Sequence, residues 1–198
     1  MEDISTYHLG GYLLFGRDYK DGDNWLTREQ FIQKIESYQD ATAIPLFIGS
    51  DEEGGTVTRA SRNPNLFSEP FKSPQKLNYI GGIEEILRDT DTRSRKLRAL
   101  GINVNFAPVC DVSTDPKDFI YDRTLGQDAN MTADYVRLVV PAMTAGGMLP
   151  VLKHFPATVI TQTPTPASPW ISGRWRPLRL PTCCPSRRGS RPGLLLCW

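Results

Sequence analysis

The last fifth of this sequence is defined by what it lacks. From residue 157 to Trp198 there is no aspartate, glutamate, lysine or histidine. Those side chains supply most general acids, bases and activated nucleophiles, so the stretch is excluded as a source of proton-transfer chemistry. Histidine is scarce throughout, with only His8 and His154. Cysteine is nearly as rare: Cys110 sits in an apolar run as a small buried residue would, while Cys183, Cys184 and Cys197 have neither metal-ligand spacing nor a paired framework. No apolar run approaches the roughly 20 residues of a membrane-crossing helix. The opening MEDISTYHLGG has no basic region followed by an apolar one, so neither a membrane nor an export signal is expected, and a cytoplasmic location is the default.

Averaged over 198 residues, the chain has a net charge of +1 and is 39% hydrophobic, which excludes a strong bias toward nucleic acid or membrane surfaces. The average conceals a seam after Pro156. None of the 22 acidic residues lies beyond it, but six of the 23 basic ones do, giving −5 before the seam and +6 after it. Seven of the 16 prolines and three of the four tryptophans also fall in residues 157–198. Two segments are expected: 1–156 as a folded domain and 157–198 as an irregular, disordered Pro/Arg-rich tail, with weak polyanion binding as a competing reading of the arginines.

Strand and helix signals alternate along the first segment. YHLGGYLLFG (7–16), IPLFIGSD (44–51), NVNFAPVCDV (103–112) and MLPVLKHF (148–155) read as buried strands. Thr27 and Gln30 predict a capping box for a helix through Phe31, Ile35 and Tyr38. A second helix is expected from about Ile83 to Leu100, stopped by Gly101, and a third through Met131, Tyr135, Leu138 and Met143 with Asn130 as cap and Pro141 as a kink. Four such alternations predict an α/β fold of parallel βα units. Ligands of parallel sheets gather at the carboxyl ends of the strands, where this sequence places Arg17 and Asp18, Asp51, Asp111, then Lys153 and His154.

The segment SDEEGGTVTR (50–59) puts three carboxylates before a glycine pair and an arginine eight positions after Asp51. A tight glycine turn would let Asp51 and Arg59 face one small polar ligand, although the spacing alone favours a solvated acidic turn. In order, GGYLLFGRD, IPLFIGSDEEGGTVTR, LRALGINVNFAPVCDV, DRTLGQD and AGGMLPVLKHFP resemble the N-terminal barrel domain of family 3 glycoside hydrolases, most of all its NagZ-type β-N-acetylhexosaminidase branch.

That resemblance implies a partial (β/α)₈ barrel of about four βα units, because 156 residues fall well short of the roughly 250 of a complete one. It implies retaining hydrolysis of terminal N-acetylglucosamine from a glycan or muropeptide, without metal or cofactor. Substrate binding falls on Asp51 and Arg59, on Arg123 of DRTLG, and on Lys153 and His154, the last two donating to sugar hydroxyls. Asp111 is expected to be a structural strand-end residue, and Glu52 and Glu53 have no assigned role. Arg123 could alternatively pair with its neighbours Asp122 or Asp128. β-Glucosidase specificity and a non-catalytic sugar-binding remnant remain open.

The resemblance further implies an aspartate nucleophile and, for the NagZ-type branch, a histidine acid/base oriented by an aspartate on the loop after KHFPG. This chain has none of these groups beyond Pro156, so it is expected to be inactive. Translating ATVITQTPTPASPWI one base out of register, with one G restored before Ala157, permits Gly-Tyr-Gly-Asp-Asn-Ala-Asp-Thr-His-Thr-Gly-Ile-Ala-Val-Asp, which contains such a loop. Trp170 followed by Ile171 forces the final aspartate, since tryptophan has a single codon. Residues 157–198 are therefore expected to be out-of-frame translation.

Overall fold

The computed structural model describes residues 2–155 and 196–197. A short helix α1 (Glu2–Tyr7) precedes strand β1 (Gly11–Leu14), and a small hairpin of β2 (Lys20–Asp21) and β3 (Asn24–Trp25) follows it. Helix α2 (Arg28–Asp40) then leads to β4 (Phe47–Ser50), α3 (Pro74–Arg98) to β5 (Val104–Asn105), and α4 (Ala129–Ala145) to β6 (Leu149–Leu152). The main sheet has the order β1, β4, β5, β6, extended by β7 (Leu196–Cys197), and every pairing in it is parallel. The fold class is thus α/β, with a helix in each of the crossovers from β1 to β4, β4 to β5 and β5 to β6, matching the wall of a (β/α)₈ barrel.

Local chemistry sets most boundaries. Thr27 Oγ1 accepts from Gln30 N at 3.3 Å and Gln30 Oε1 accepts from Thr27 N at 2.8 Å, which is the expected capping box, with Phe31 and Ile35 buried beneath it. Helix α3 begins earlier than expected, at a Ser73 cap with Pro74 in its first turn, and is broken where Gly81 and Gly82 leave helical geometry. Gly82 has φ +63° and ψ −152°, a conformation essentially reserved for glycine, so the stretch from Ile83 behaves as a second helix.

Three expectations need correction. Asp128, not Asn130, caps α4, its carboxylate accepting from Met131 N at 2.9 Å; that position meets the third helical amide and also places negative charge at the helix start. The first strand is shorter than 7–16 because Tyr7 ends α1 and His8 turns the chain at φ 51°. The third pairs only through Val104–Asn105, then leaves the ladder where Pro108 has no N–H to donate, returning at the single bridge Val109 to Lys153.

The core lies between sheet and helices. Leu14, Phe31, Ile35, Leu46, Ile48, Leu97, Leu100 and Ile102 are nearly or fully buried there, and Tyr19 stacks on Phe31 with ring centroids 4.9 Å apart. Residues 156–195 and 198, which carry the expected out-of-frame tail, lie outside the described residues; Leu196 and Cys197 pair with Val151 and Leu152. Among the described residues no helix is long and apolar enough to cross a membrane.

Candidate active site

Because the strands of the main sheet run the same way, the residues following β4, β5 and β6 arrive at one rim, and the structure joins them into a continuous chain of charge. Lys153 Nζ, only 2% exposed, donates to Asp51 Oδ1 at 2.7 Å and also contacts Glu53 Oε1. Glu53 in turn receives Arg123 twice, Nε at 2.9 Å and Nη2 at 2.8 Å, a bidentate pair. Arg123 Nη2 lies 3.0 Å from His154 Nε2, and His154 Nδ1 lies 2.6 Å from Asp111 Oδ2. Arg59 approaches Asp51 from the outside at 3.7 Å, an ion pair but too long for a hydrogen bond.

The five residues expected to bind substrate, Asp51, Arg59, Arg123, Lys153 and His154, are therefore brought together. Arg17 and Asp18 are not: Asp18 accepts from Phe15 N in a local turn at 2.7 Å. Arg123 ignores its neighbours Asp122 and Asp128 and pairs with Glu53, 70 positions away. That pairing, before the desolvation that opposes it, pushes the Arg123 pKa up from its ordinary value, together with the nearby charges of Asp111 and Asp51. It stays a fixed cation.

Two residues of this rim network escaped the sequence reading. Glu53 is the central anion of the chain, and Asp111 is a partner of His154 rather than a simple strand end. Alternation offered a signal for the first: carrying the period of two past the end of β4 puts Asp51 and Glu53 on one side and Glu52 on the other. Glu52 does turn away. It is fully buried, and its carboxylate accepts from Arg59 N at 2.6 Å, Ser61 N at 3.2 Å and Ser61 Oγ at 2.8 Å. Burial pushes its pKa above the usual carboxylate range, those hydrogen bonds opposing the shift.

The backbone of this loop is clamped from beneath. Arg93 of α3, buried against Phe71, donates through Nη1 to the carbonyls of Glu52 at 2.9 Å and Glu53 at 2.8 Å. Asn105 of β5 pairs with the N–H and C=O of Glu52, at 3.0 and 3.1 Å. Both acidic side chains are thereby aimed before any ligand arrives.

With His154 neutral, three cations balance three carboxylates along the rim. Such a surface offers fixed charge-assisted donors and acceptors without attracting a charged ligand, which suits a neutral polyhydroxylated ring. Among the described residues each rim carboxylate is held by a cation or by the imidazole. Among the described residues no group of His, Cys, Asp and Glu is arranged to hold a metal ion.

Comparison with known proteins gives the family and the fold. Residues 1–165 match the family model described as the glycosyl hydrolase family 3 N terminal domain. The chain is 32% identical over 154 residues to beta-hexosaminidase LpqI of Mycobacterium tuberculosis, covering 77% of this chain and 37% of that protein. To beta-hexosaminidase A of Pseudoalteromonas piscicida it is 30% identical over 159 residues, covering 78% of this chain and 26% of the relative. The solved structure of M. tuberculosis LpqI superposes with a TM-score of 0.66 at 30% identity, over 79% of this chain and 43% of that one. The chain thus spans well under half the length of these relatives.

Proposed function

Because the chain belongs to the family of glycosyl hydrolase family 3 N-terminal domains, we propose that its rim is the sugar-binding part of a β-N-acetylhexosaminidase site, recognising a terminal N-acetylglucosamine of a glycan. The observation that carries this reading is the chain Asp51, Lys153, Glu53, Arg123, His154, in which every member is pre-positioned and charge is balanced. The names of the relatives, all beta-hexosaminidases, support the choice of sugar.

The 198-residue chain binds but does not hydrolyse. Retaining hydrolysis needs one carboxylate free to attack the anomeric carbon and a second group to protonate the leaving oxygen. The rim carboxylates are committed to Lys153, Arg123, Arg59 and His154, and the sequence supplies no Asp, Glu or His after Pro156 to replace them. The alternate reading frame after codon 156 is where those groups are proposed to be encoded.

Calorimetry with N-acetylglucosamine and with glucose tests the binding. Preferential heat with N-acetylglucosamine is expected, weakened about 10-fold or more by Arg123→Ala, as for loss of a hydrogen bond to a charged group. No binding of either sugar removes the reading, and preference for glucose shifts it to a β-glucosidase lineage. Turnover of p-nitrophenyl N-acetylglucosaminide by the purified chain would contradict the claim of inactivity.

A further inference from the structure

Proton placement on His154 is dictated by its two neighbours. Nδ1 lies 2.6 Å from Asp111 Oδ2, an oxygen that also accepts the His154 backbone N–H at 3.2 Å, and Nε2 lies 3.0 Å from Arg123 Nη2. An ionised carboxylate only accepts and a guanidinium only donates. The neutral ring with its hydrogen on Nδ1 and its lone pair on Nε2 satisfies both contacts. The other neutral tautomer sets a lone pair against the carboxylate and an N–H against the guanidinium N–H. The doubly protonated ring satisfies Asp111 but presses a second cation against Arg123.

We propose that Asp111 is a positioning residue which, together with Arg123, locks His154 as the neutral Nδ1–H tautomer, so that His154 serves as an acceptor that orients Arg123. In this arrangement the one ring N–H of His154 is given to Asp111. An aspartate behind an imidazole is the arrangement that supports a general base when Nε2 faces a reacting proton. Here Nε2 faces a permanent cation, so a proton taken up there would have to displace Arg123. The Asp111 carboxylate is only 1% exposed, so it is well suited to a fixed tautomer-setting role.

The consequence for recognition follows from counting hydrogens. Arg123 gives Nε and one Nη2 hydrogen to Glu53 and the other Nη2 hydrogen to His154. Among the described residues nothing engages Nη1, which is left to meet a ligand. That consequence rests on the sugar-binding reading; the tautomer does not.

Imidazole ¹⁵N–¹H correlation spectra of the full-length chain test the proposal, in solution or on a sediment under magic-angle spinning. Replacing the exposed His8 by glutamine leaves a single ring to assign. The expected result at neutral pH is a protonated Nδ1, an unprotonated Nε2, and a downfield Nδ1–H resonance that vanishes in Asp111→Ala. In Asp111→Asn, where an amide oxygen replaces the carboxylate, it should move upfield. A ring protonated on Nε2 in the wild-type chain overturns the proposal, and this holds even if Asp111→Ala does not fold. An Nδ1–H resonance unchanged in Asp111→Asn removes Asp111 from it. Failure of N-acetylglucosamine to bind by calorimetry would sink the sugar reading while leaving the tautomer assignment intact.

Discussion

Glu52 and Lys153 show how differently two buried ionisable groups can behave at the ends of neighbouring parts of one sheet. Glu52 accepts three hydrogen bonds from neutral donors, and burial raises its pKa. The folded state therefore binds its proton more tightly than the unfolded chain does. Its contribution to stability is complete below the ordinary carboxyl value of about 4.3 and declines as pH rises through the raised folded value. Glu52→Gln keeps an acceptor for both N–H groups and is expected to flatten that slope in urea unfolding measured from acidic to mildly alkaline pH. Glu52→Ala leaves buried donors unmet, costing about 1–3 kcal/mol for each. Lys153 is the reverse case: Lys153→Met leaves Asp51 with only the more distant Arg59 and Glu53 with only Arg123, in a buried site that has lost one of its cations, and a loss of about 3 kcal/mol is expected in the same assay. A Met variant of wild-type stability would mean that the two carboxylates are relieved some other way.

At the scale of elements, the loop following β4 depends on glycine geometry and on α3. Gly54 has φ +92°, and a Cβ there would sit 2.1 Å from the carbonyl oxygen of Lys72, which Arg93 also binds. Gly54→Ala should therefore both strain the backbone, by about 1–3 kcal/mol, and move Glu53 off Arg123. The expected signature is a lower urea midpoint together with weaker N-acetylglucosamine binding; loss of stability with full affinity would separate the loop from the site. The start of α3 illustrates why a boundary can be missed. Ser73 and Pro74 are ordinary helix-start signals, but the glycine pair at 81 and 82 reads as a stop in sequence, whereas the structure uses it as a joint between two helical pieces.

For the whole molecule, the described sheet is an open arc. Among the described residues β1 has a single neighbour, and β6 is continued only by the two residues of β7. Ile44 and Phe47, beside and within β4, are 80% and 54% exposed, and Phe155 after β6 is 66% exposed. Unpaired strand edges next to exposed apolar side chains favour association between chains. Sedimentation velocity should show self-association that increases with concentration. A cooperative, strictly monomeric unfolding transition for residues 1–156 would contradict this expectation. The nucleotide sequence decides the origin of residues 157–198: a single-base change near codon 157 should open a long reading frame resembling the family.

The sequence by itself determined the kinds of elements and the rim on which chemistry could occur. Alternating apolar runs, the Thr27 and Gln30 capping box, and polar residues at strand ends are short-range features set by backbone geometry over a few positions. Asp51, Lys153 and His154 could be placed at one rim because parallel strands share a direction. What the tertiary structure decided was partnership. Arg123 chose Glu53 at 70 positions over Asp122 next door, and Lys153 met Asp51 across 102. Glu52 and Glu53 parted to opposite sides, and Asp111 took the imidazole of His154, 43 positions away. Each of those pairings depends on the register of β4, β5 and β6, through which separate turns of the chain are brought to within 3 Å, and no local pattern encodes a register between strands that distant.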